Sequence, residues 1–391
     1  MHVNCYDKWN VRKTKIWRTY FCWLKLKQWQ KLIFTTCNKE DTTLLGARVP
    51  KGKAQDKAIQ DKIDDLTRAV KRLKHLQAHD ALVILKNSLA IPKLLYLFRT
   101  SQCSDNPLLR QFDDTLRTGL ITILNVDINN DQWLQASLSI GDGGLGIQSA
   151  EMLAPSAYLA SAASTLLLQQ SILPDSIWIQ GDQLVASTET LSTGLANSPK
   201  PSQQTQHIQK AWDGPVAVNQ KNPILSRASS DVDKARLLAA ASPHAGGDWL
   251  HASQITAVGL GPSDEATRVA VAHRLGSKAC EPHICVCGKA VDARELHGLS
   301  CRRSAPRQQR HSHLNDILLT AIKRAQMPAV KEPINLMRDD NKRPDGTTLL
   351  PWAKGKPMVW DVTVPDTYAE STLAAQQLNQ VQLPKRQRKT R

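Results

Sequence analysis

Within seventeen residues this chain places three cysteines and a histidine, in the order Cys285-x-Cys287-x9-His297-x3-Cys301. Three thiols and an imidazole are the donor set of tetrahedral zinc, and a closed set of four is structural rather than catalytic. Gly288, directly after the second cysteine, allows the backbone to turn tightly there. The single residue between Cys285 and Cys287 is shorter than the usual gap of two to four, which leaves Cys280 or His283 open as alternative ligands. Of the eight cysteines, Cys5, Cys22, Cys37 and Cys103 are scattered. The local cluster and the lack of a secretory leader favour a reducing compartment, nuclear or cytoplasmic, over a disulfide framework.

The flank of the cluster is basic, with Arg302, Arg303, Arg307 and Arg310 in close succession, and the 391-residue chain carries a net charge of +16. That excess favours a polyanionic partner, DNA or RNA in the first place, with an anionic membrane surface as the other option. No apolar run is expected to reach membrane-spanning length, so no membrane span is expected. Nothing in the sequence indicates a small-molecule cofactor. The formal G-x-G-x-x-G at 141–146 follows a helical stretch and lacks the acidic residue a dinucleotide site needs, so it reads as a sharp turn between helices.

Hydrophobic periodicity gives a mainly α, multidomain chain. Residues 1–42 form an atypical basic leader with Trp9, Trp17, Trp23 and Trp29. In 43–183, Ile59, Ile63, Leu66, Val70, Leu73 and Leu76 recur at spacings of three and four, and further helices follow around Pro92 and Pro107, which makes a helical bundle. Ser, Gln, Asn and Pro dominate 184–226, the expected linker. Residues 227–279 read as a helical connector, 280–304 as the zinc knuckle, 305–375 as an incomplete α/β domain and 376–391 as a basic tail.

Past the knuckle, Leu314, Ile317, Leu318 and Ile322 mark one face of a helix. Arg343-Pro344-Asp345-Gly346 makes a turn, and Met358–Val364 alternates as a strand with Val359, Asp361 and Thr363 on one face. If the two segments are adjacent strands, Asp345 and Asp361 can converge on Mg²⁺, which prefers a few carboxylates together with water and phosphate oxygens. Spacing alone equally allows two ordinary turn aspartates.

The order of helical bundle, GGLG turn, linker, Cys/His knuckle, Arg310-His311, RPDG and WDVTV resembles the C-terminal half of non-LTR retrotransposon polyproteins that carry a restriction-enzyme-like endonuclease. The resemblance covers about residues 43 to 375 and is most specific from the knuckle to WDVT. It implies a reverse transcriptase thumb-like helical bundle, then a zinc knuckle joined to a PD-(D/E)xK nuclease that nicks DNA with Mg²⁺. Arg310 and His311 match that family's Arg-His motif, Asp345 its PD aspartate and Asp361 its second metal-binding acid, which makes these four the implied catalytic residues. No Y-x-D-D or F-x-D-D polymerase motif occurs, Thr363 stands where the nuclease motif has lysine, and Lys385 in the tail is the nearest stand-in. The expectation is a truncated fragment of such a polyprotein that binds nucleic acid and does not polymerise. An active Mg²⁺-dependent endonuclease and an inert remnant of the element are the alternatives.

Overall fold

The computed structural model describes residues 43–44, 46–48, 52–172, 201–202, 205, 207–228, 230–242, 246–252, 261–301, 303, 305–334, 336, 343–364 and 368. The leader at 1–42, the basic tail and all of 173–200 therefore lie outside the described residues. The chain is mainly helical and divides into two compact units, Met1–Ser229 with Leu237–Ser277, and Ser230–Arg236 with Lys278–Arg391.

The first unit opens with a two-residue hairpin, β1 Thr43–Leu44 and β2 Ala47–Arg48, followed by α1 Lys53–Leu73. Ile59, Ile63, Leu66 and Leu73 bury the apolar stripe of α1, each worth roughly 2 kcal/mol of transfer free energy. Leu76, which continues the spacing in sequence, lies past the helix end and is exposed. The stripe packs on α4, Leu108–Leu124. At Gly119 of α4 a Cβ would stand 2.6 Å from Val70 of α1, so the close approach of these helices depends on that glycine.

Between them, α2 Ala78–Ile84 passes into a π-turn over Leu85–Leu89, a 3-10 turn over Ile91–Lys93 and then α3 Leu95–Thr100. By length and composition Ala78–Thr100 could cross a membrane, contrary to the sequence expectation that no run is long enough. Its continuity is broken at Ala90 and Pro92, and Leu82, Leu85, Leu94 and Phe98 are buried among the unit's own helices.

A short helix, α5 Asn130–Ser137, starts in a capping box between Asn129 and Gln132. It leads through the glycine-rich turn to α6 Ala150–Ile172. That turn is a tight crossing of backbones: Gly143 and Gly146 have φ of 94° and 75°, and a Cβ on Gly144 would sit 2.1 Å from the Leu138 carbonyl. Arg274, 6% exposed, closes it by donating from Nε to Gly144 O at 3.0 Å and from a terminal nitrogen to Ile140 O at 2.9 Å, with a further short bond to Gly246 O. The first turn of α6 is capped from α4, where Asp113 accepts from Ser149 Oγ at 2.5 Å and Ala150 N at 2.7 Å.

Residues 209–226, expected to end the polar linker, instead belong to α7 Gln209–Arg227 despite Pro215 and Pro223. The reason is three apolar anchors spaced along one side. Trp212 packs on Leu159 and Ala160, Ile224 packs on Leu138 and Leu237, and Val216 is buried between them in sequence. Tertiary burial overrides the weak propensity of the segment. Helix α8 Asp231–Ala240 and helix α9 Asp264–Leu275 follow. Ser263 caps α9 by accepting from Ala266 N at 3.2 Å, and Gly276 ends it with φ 70°.

The second unit holds a hairpin of β3 His283–Ile284 with β4 Ala290–Val291, the short helix α10 Leu296–Ser300, the helix α11 Ala305–Arg324 and a three-stranded antiparallel sheet. The strands are β5 Ala329–Lys331, β6 Gly346–Thr348 and β7 Val359–Trp360, in the order β5-β6-β7. Two expectations need correction. The strand foreseen over 358–364 is only two residues long: past Trp360 the next inward donor, Val362 N, bonds the Asp345 carboxylate instead of a ladder carbonyl. Of the face marked by Leu314, Ile317, Leu318 and Ile322, only Ile322 is buried against the sheet, and the other three are exposed. The face against the sheet is that of Asn315, Leu319 and Ile322, where Ile322 joins Ala329 and Trp360 in a small core. Asn315 is fully buried because its amide accepts from Trp360 Nε1 at 2.9 Å and donates to Asp345 O at 3.0 Å.

Candidate metal centre

The β3-β4 hairpin presents the first two cysteines. His283 pairs with Val291 and Ile284 with Ala290, and the loop between them closes with Gly288 N donating to Cys285 O at 2.7 Å and Cys285 N to Lys289 O at 2.9 Å. Gly288 adopts φ 85°, the left-handed conformation the turn requires. The turn that the Gly288–Cys285 bond closes leaves Val286 90% exposed at its tip and sets Cys285 and Cys287 toward the same ligand set. This is how a one-residue gap still supplies two ligands.

The other two ligands come from α10. His297 lies in it and Cys301 caps its C-terminus, so the i, i+4 spacing sets both side chains on one side. The four ligand atoms of Cys285, Cys287, His297 and Cys301 all lie within 4.8 Å of one another. Cys285 and Cys301 sulfurs are 3.8 Å apart, matching the roughly 3.8 Å edge of a tetrahedron with Zn–S bonds of about 2.3 Å. Cys287 Sγ stands 3.1 Å from His297 Nε2, slightly inside the corresponding edge of about 3.5 Å. Donor chemistry and spacing both fit a structural zinc.

The alternatives fall elsewhere. Cys280 turns its thiol to Asp292 O at 3.5 Å, and His283 Nδ1 is 3.0 Å from Glu281 O. The Lys289 backbone N–H holds the Cys287 thiol down at about 6, with the His297 ring adding to the effect against burial. Burial pushes the Cys301 thiol up, against a backbone N–H from Arg303. Backbone donors two residues beyond each cysteine thus already address the charge that metal-bound thiolates carry.

Arg294, in the loop before α10, pairs with Asp233 at 2.6 Å within the same unit. Burial opposes ionisation of Asp233, yet Ser230 and Arg294 together hold its carboxyl below the usual range. Of the basic flank, Arg303 and Arg310 are exposed, Arg307 falls in the first turn of α11, and Arg302 lies outside the described residues. Arg310 donates to Leu299 O at 3.1 Å, which ties α11 back to α10.

The carboxylates meet at the ends of β6 and β7, which are adjacent antiparallel strands with Gly346 opposite Trp360. Asp345 Oδ2 is 3.1 Å from His311 Nε2 and accepts from Val362 N at 2.5 Å. Asp361 Oδ1 accepts from Asp345 N at 3.3 Å. His311, Asp345 and Asp361 are thus brought to one place, while Arg310 points to α10 instead. Among the described residues only the Cys/His set gathers three or more ligand atoms at metal-binding distance, so nothing in this geometry adds to the case for Mg²⁺.

No protein-family model matches the chain, and no curated protein matches it. What can be said of the site therefore comes from its own residues. Sequence reasoning missed Asn315, whose signal was its position four residues after His311 on one helix face. It also missed Lys331 of β5, which donates to Asp316 at 2.7 Å and Ser312 at 3.0 Å on α11.

Proposed function

We infer that residues 280–364 form a nucleic-acid-binding module whose Cys285, Cys287, His297 and Cys301 hold one structural Zn²⁺. The observation that carries this reading is the tetrahedral spacing of the four ligand atoms beside a basic flank. Zinc would fix the hairpin against α10, and Arg303 and Arg310 would meet phosphates of DNA or RNA. The same motif order supports an origin in a non-LTR retrotransposon polyprotein, with the helical unit in the place of a reverse transcriptase thumb and no polymerase centre.

The test is fluorescence anisotropy of labelled DNA and RNA oligonucleotides with the full chain, alongside elemental analysis for zinc. Binding should weaken steeply between about 50 and about 200 mM salt and should fall with zinc content in Cys287→Ser. Salt-independent binding, or binding unchanged by loss of the metal, sinks the reading.

A second reading, Mg²⁺-dependent DNA nicking, rests on the resemblance of Arg310-His311, RPDG and WDVTV to nuclease motifs, with His311, Asp345 and Asp361 near one another. In it the two carboxylates would hold the ion and His311 would orient Asp345. Plasmid nicking that needs Mg²⁺ and disappears in Asp361→Ala supports it, and nicking at background level ends it.

A further inference from the structure

The first unit contains an open cleft of about 890 Å³ that neither the metal centre nor the carboxylate pair explains. One wall is α2 and its π-turn, which contribute Asp80, Val83, Lys86 and Asn87; the opposite wall is the glycine-rich turn with Ser139, Gly141 and Gln148. Ile91, Pro92, Leu95 and Leu153 form an apolar floor. The volume falls in the range of sites for small organic molecules, and the lining mixes polar and apolar groups in similar measure, which suits a polar ligand.

Lys86 is the lysine of this cleft. It sits on the π-turn, where Ala90 N bonds Leu85 O across five residues, a helical irregularity common at functional sites. Its stem runs along Gly146, where an added Cβ would come within 3.4 Å of Lys86 Cδ. Among the described residues no carboxylate forms an ion pair with it, and burial alone lowers its pKa. A half-buried ammonium without a counter-ion is costly, and an anionic ligand group would relieve that cost.

Asp80 lies six residues before Lys86, roughly 9 Å along the helix axis at 1.5 Å per residue. A ligand spanning both would carry an anion at one end and hydroxyl or amino donors at the other. The wall beside Asp80 holds another acceptor in want of a donor. His79 is 2% exposed, its Nε2 lies 3.2 Å from Trp249 O and so bears the proton, and its Nδ1 has no partner among the described residues.

We propose that this cleft binds a nucleotide-sized phosphate monoester, with its phosphate at Lys86, its sugar or base donors at Asp80 and its flat body on the Ile91–Leu95 floor. The phosphate meets one point charge rather than an arginine fork, which suits a terminal monoester.

The full chain is titrated by calorimetry with adenosine 5′-monophosphate, adenosine and inorganic phosphate. The monophosphate should bind saturably and more tightly than either part. Lys86→Gln should weaken it about tenfold or more, the loss of one charge-assisted bond, and leave adenosine unchanged. Asp80→Asn should weaken the monophosphate and adenosine but not phosphate. Lys93→Gln, an exposed lysine outside the cleft, should match the wild type. Because Lys86 donates no described bond, Lys86→Gln should retain the helical circular dichroism and a melting temperature at or above wild type. No saturable binding of the monophosphate by the wild type, or equal affinity in Lys86→Gln, overturns the proposal.

Discussion

The Cys/His cluster and the carboxylate pair are built by the same device and end in opposite states. Each sets side chains at the end of a short antiparallel pairing and brings a helix against it, α10 in one case and α11 in the other. In the cluster, four donors face one another with backbone N–H groups behind two of the sulfurs, an arrangement that gains its meaning from a metal. In the pair, Asp345 and Asp361 are already engaged by backbone N–H groups and His311, so the carboxylates hold the sheet ends together without an ion. Proximity of acidic groups is therefore weaker evidence for a metal than proximity of thiols, because backbone donors satisfy carboxylates well and thiols poorly.

The largest test of that contrast is Cys287→Ser. Zinc per chain should fall from one to near zero, and amide protection across 280–301 should vanish in hydrogen exchange, since metal-binding free energy is folding free energy for so small a segment. Chelation of the wild type should do the same, and should leave the protection of β5, β6 and β7 intact. A cluster that keeps its protection without metal removes the contrast altogether.

A third carboxylate calibrates the pair. Burial pushes the Asp113 carboxyl up to about 6, against the donors Ser149, Ala150 and Glu151 that pull it down. With a folded pKa above the unfolded one near 3.8, the folded state holds the proton through that window. Stability should therefore decline as pH rises from about 4 to about 6, by about 3 kcal/mol at most. Denaturant unfolding at several pH values checks this, and Asp113→Asn should remove the dependence.

The support beneath the pair is tested by Gly346→Ala. A Cβ there would lie 2.0 Å from the Trp360 indole, which is buried, so overpacking should cost about 2 kcal/mol and red-shift Trp360 fluorescence. The smallest effect separates the two aspartates. Asp345→Ala, which strips partners from His311 and Val362 N, should destabilise by about 2 kcal/mol, and Asp361→Ala, more exposed, by less than about 1. Two carboxylates held close only to receive a cation would instead gain stability when one is removed.

Local pattern made much of this legible. The stripe of Ile59, Ile63 and Leu66 predicted α1 because its packing follows the helical period, and the ligand spacing predicted the cluster because chelation by i, i+2 and i, i+4 pairs is itself local. The failures are long-range. Helix α7 looked like linker because Trp212, Val216 and Ile224 are few and far apart, and only their partners on α5, α6 and α8 reveal them as anchors. Of the apolar face of α11 only Ile322 reaches the core, because Asn315 rather than Leu314 or Ile317 turns inward beside it, and the reason lies in Trp360, 45 residues away. Arg274, which closes the glycine-rich turn from 130 residues downstream, leaves no local trace at all.

Asn315 has a further consequence for how the second unit folds. Its one amide reads two addresses at once, the indole of β7 and the carbonyl just before β6. A slip of either strand by a single residue would turn Trp360 or Asp345 to the opposite side and orphan both ends of a buried amide. Three strands of two or three residues carry little register information of their own; this side chain acts as their proofreader, penalising each misaligned pairing before it can be locked in.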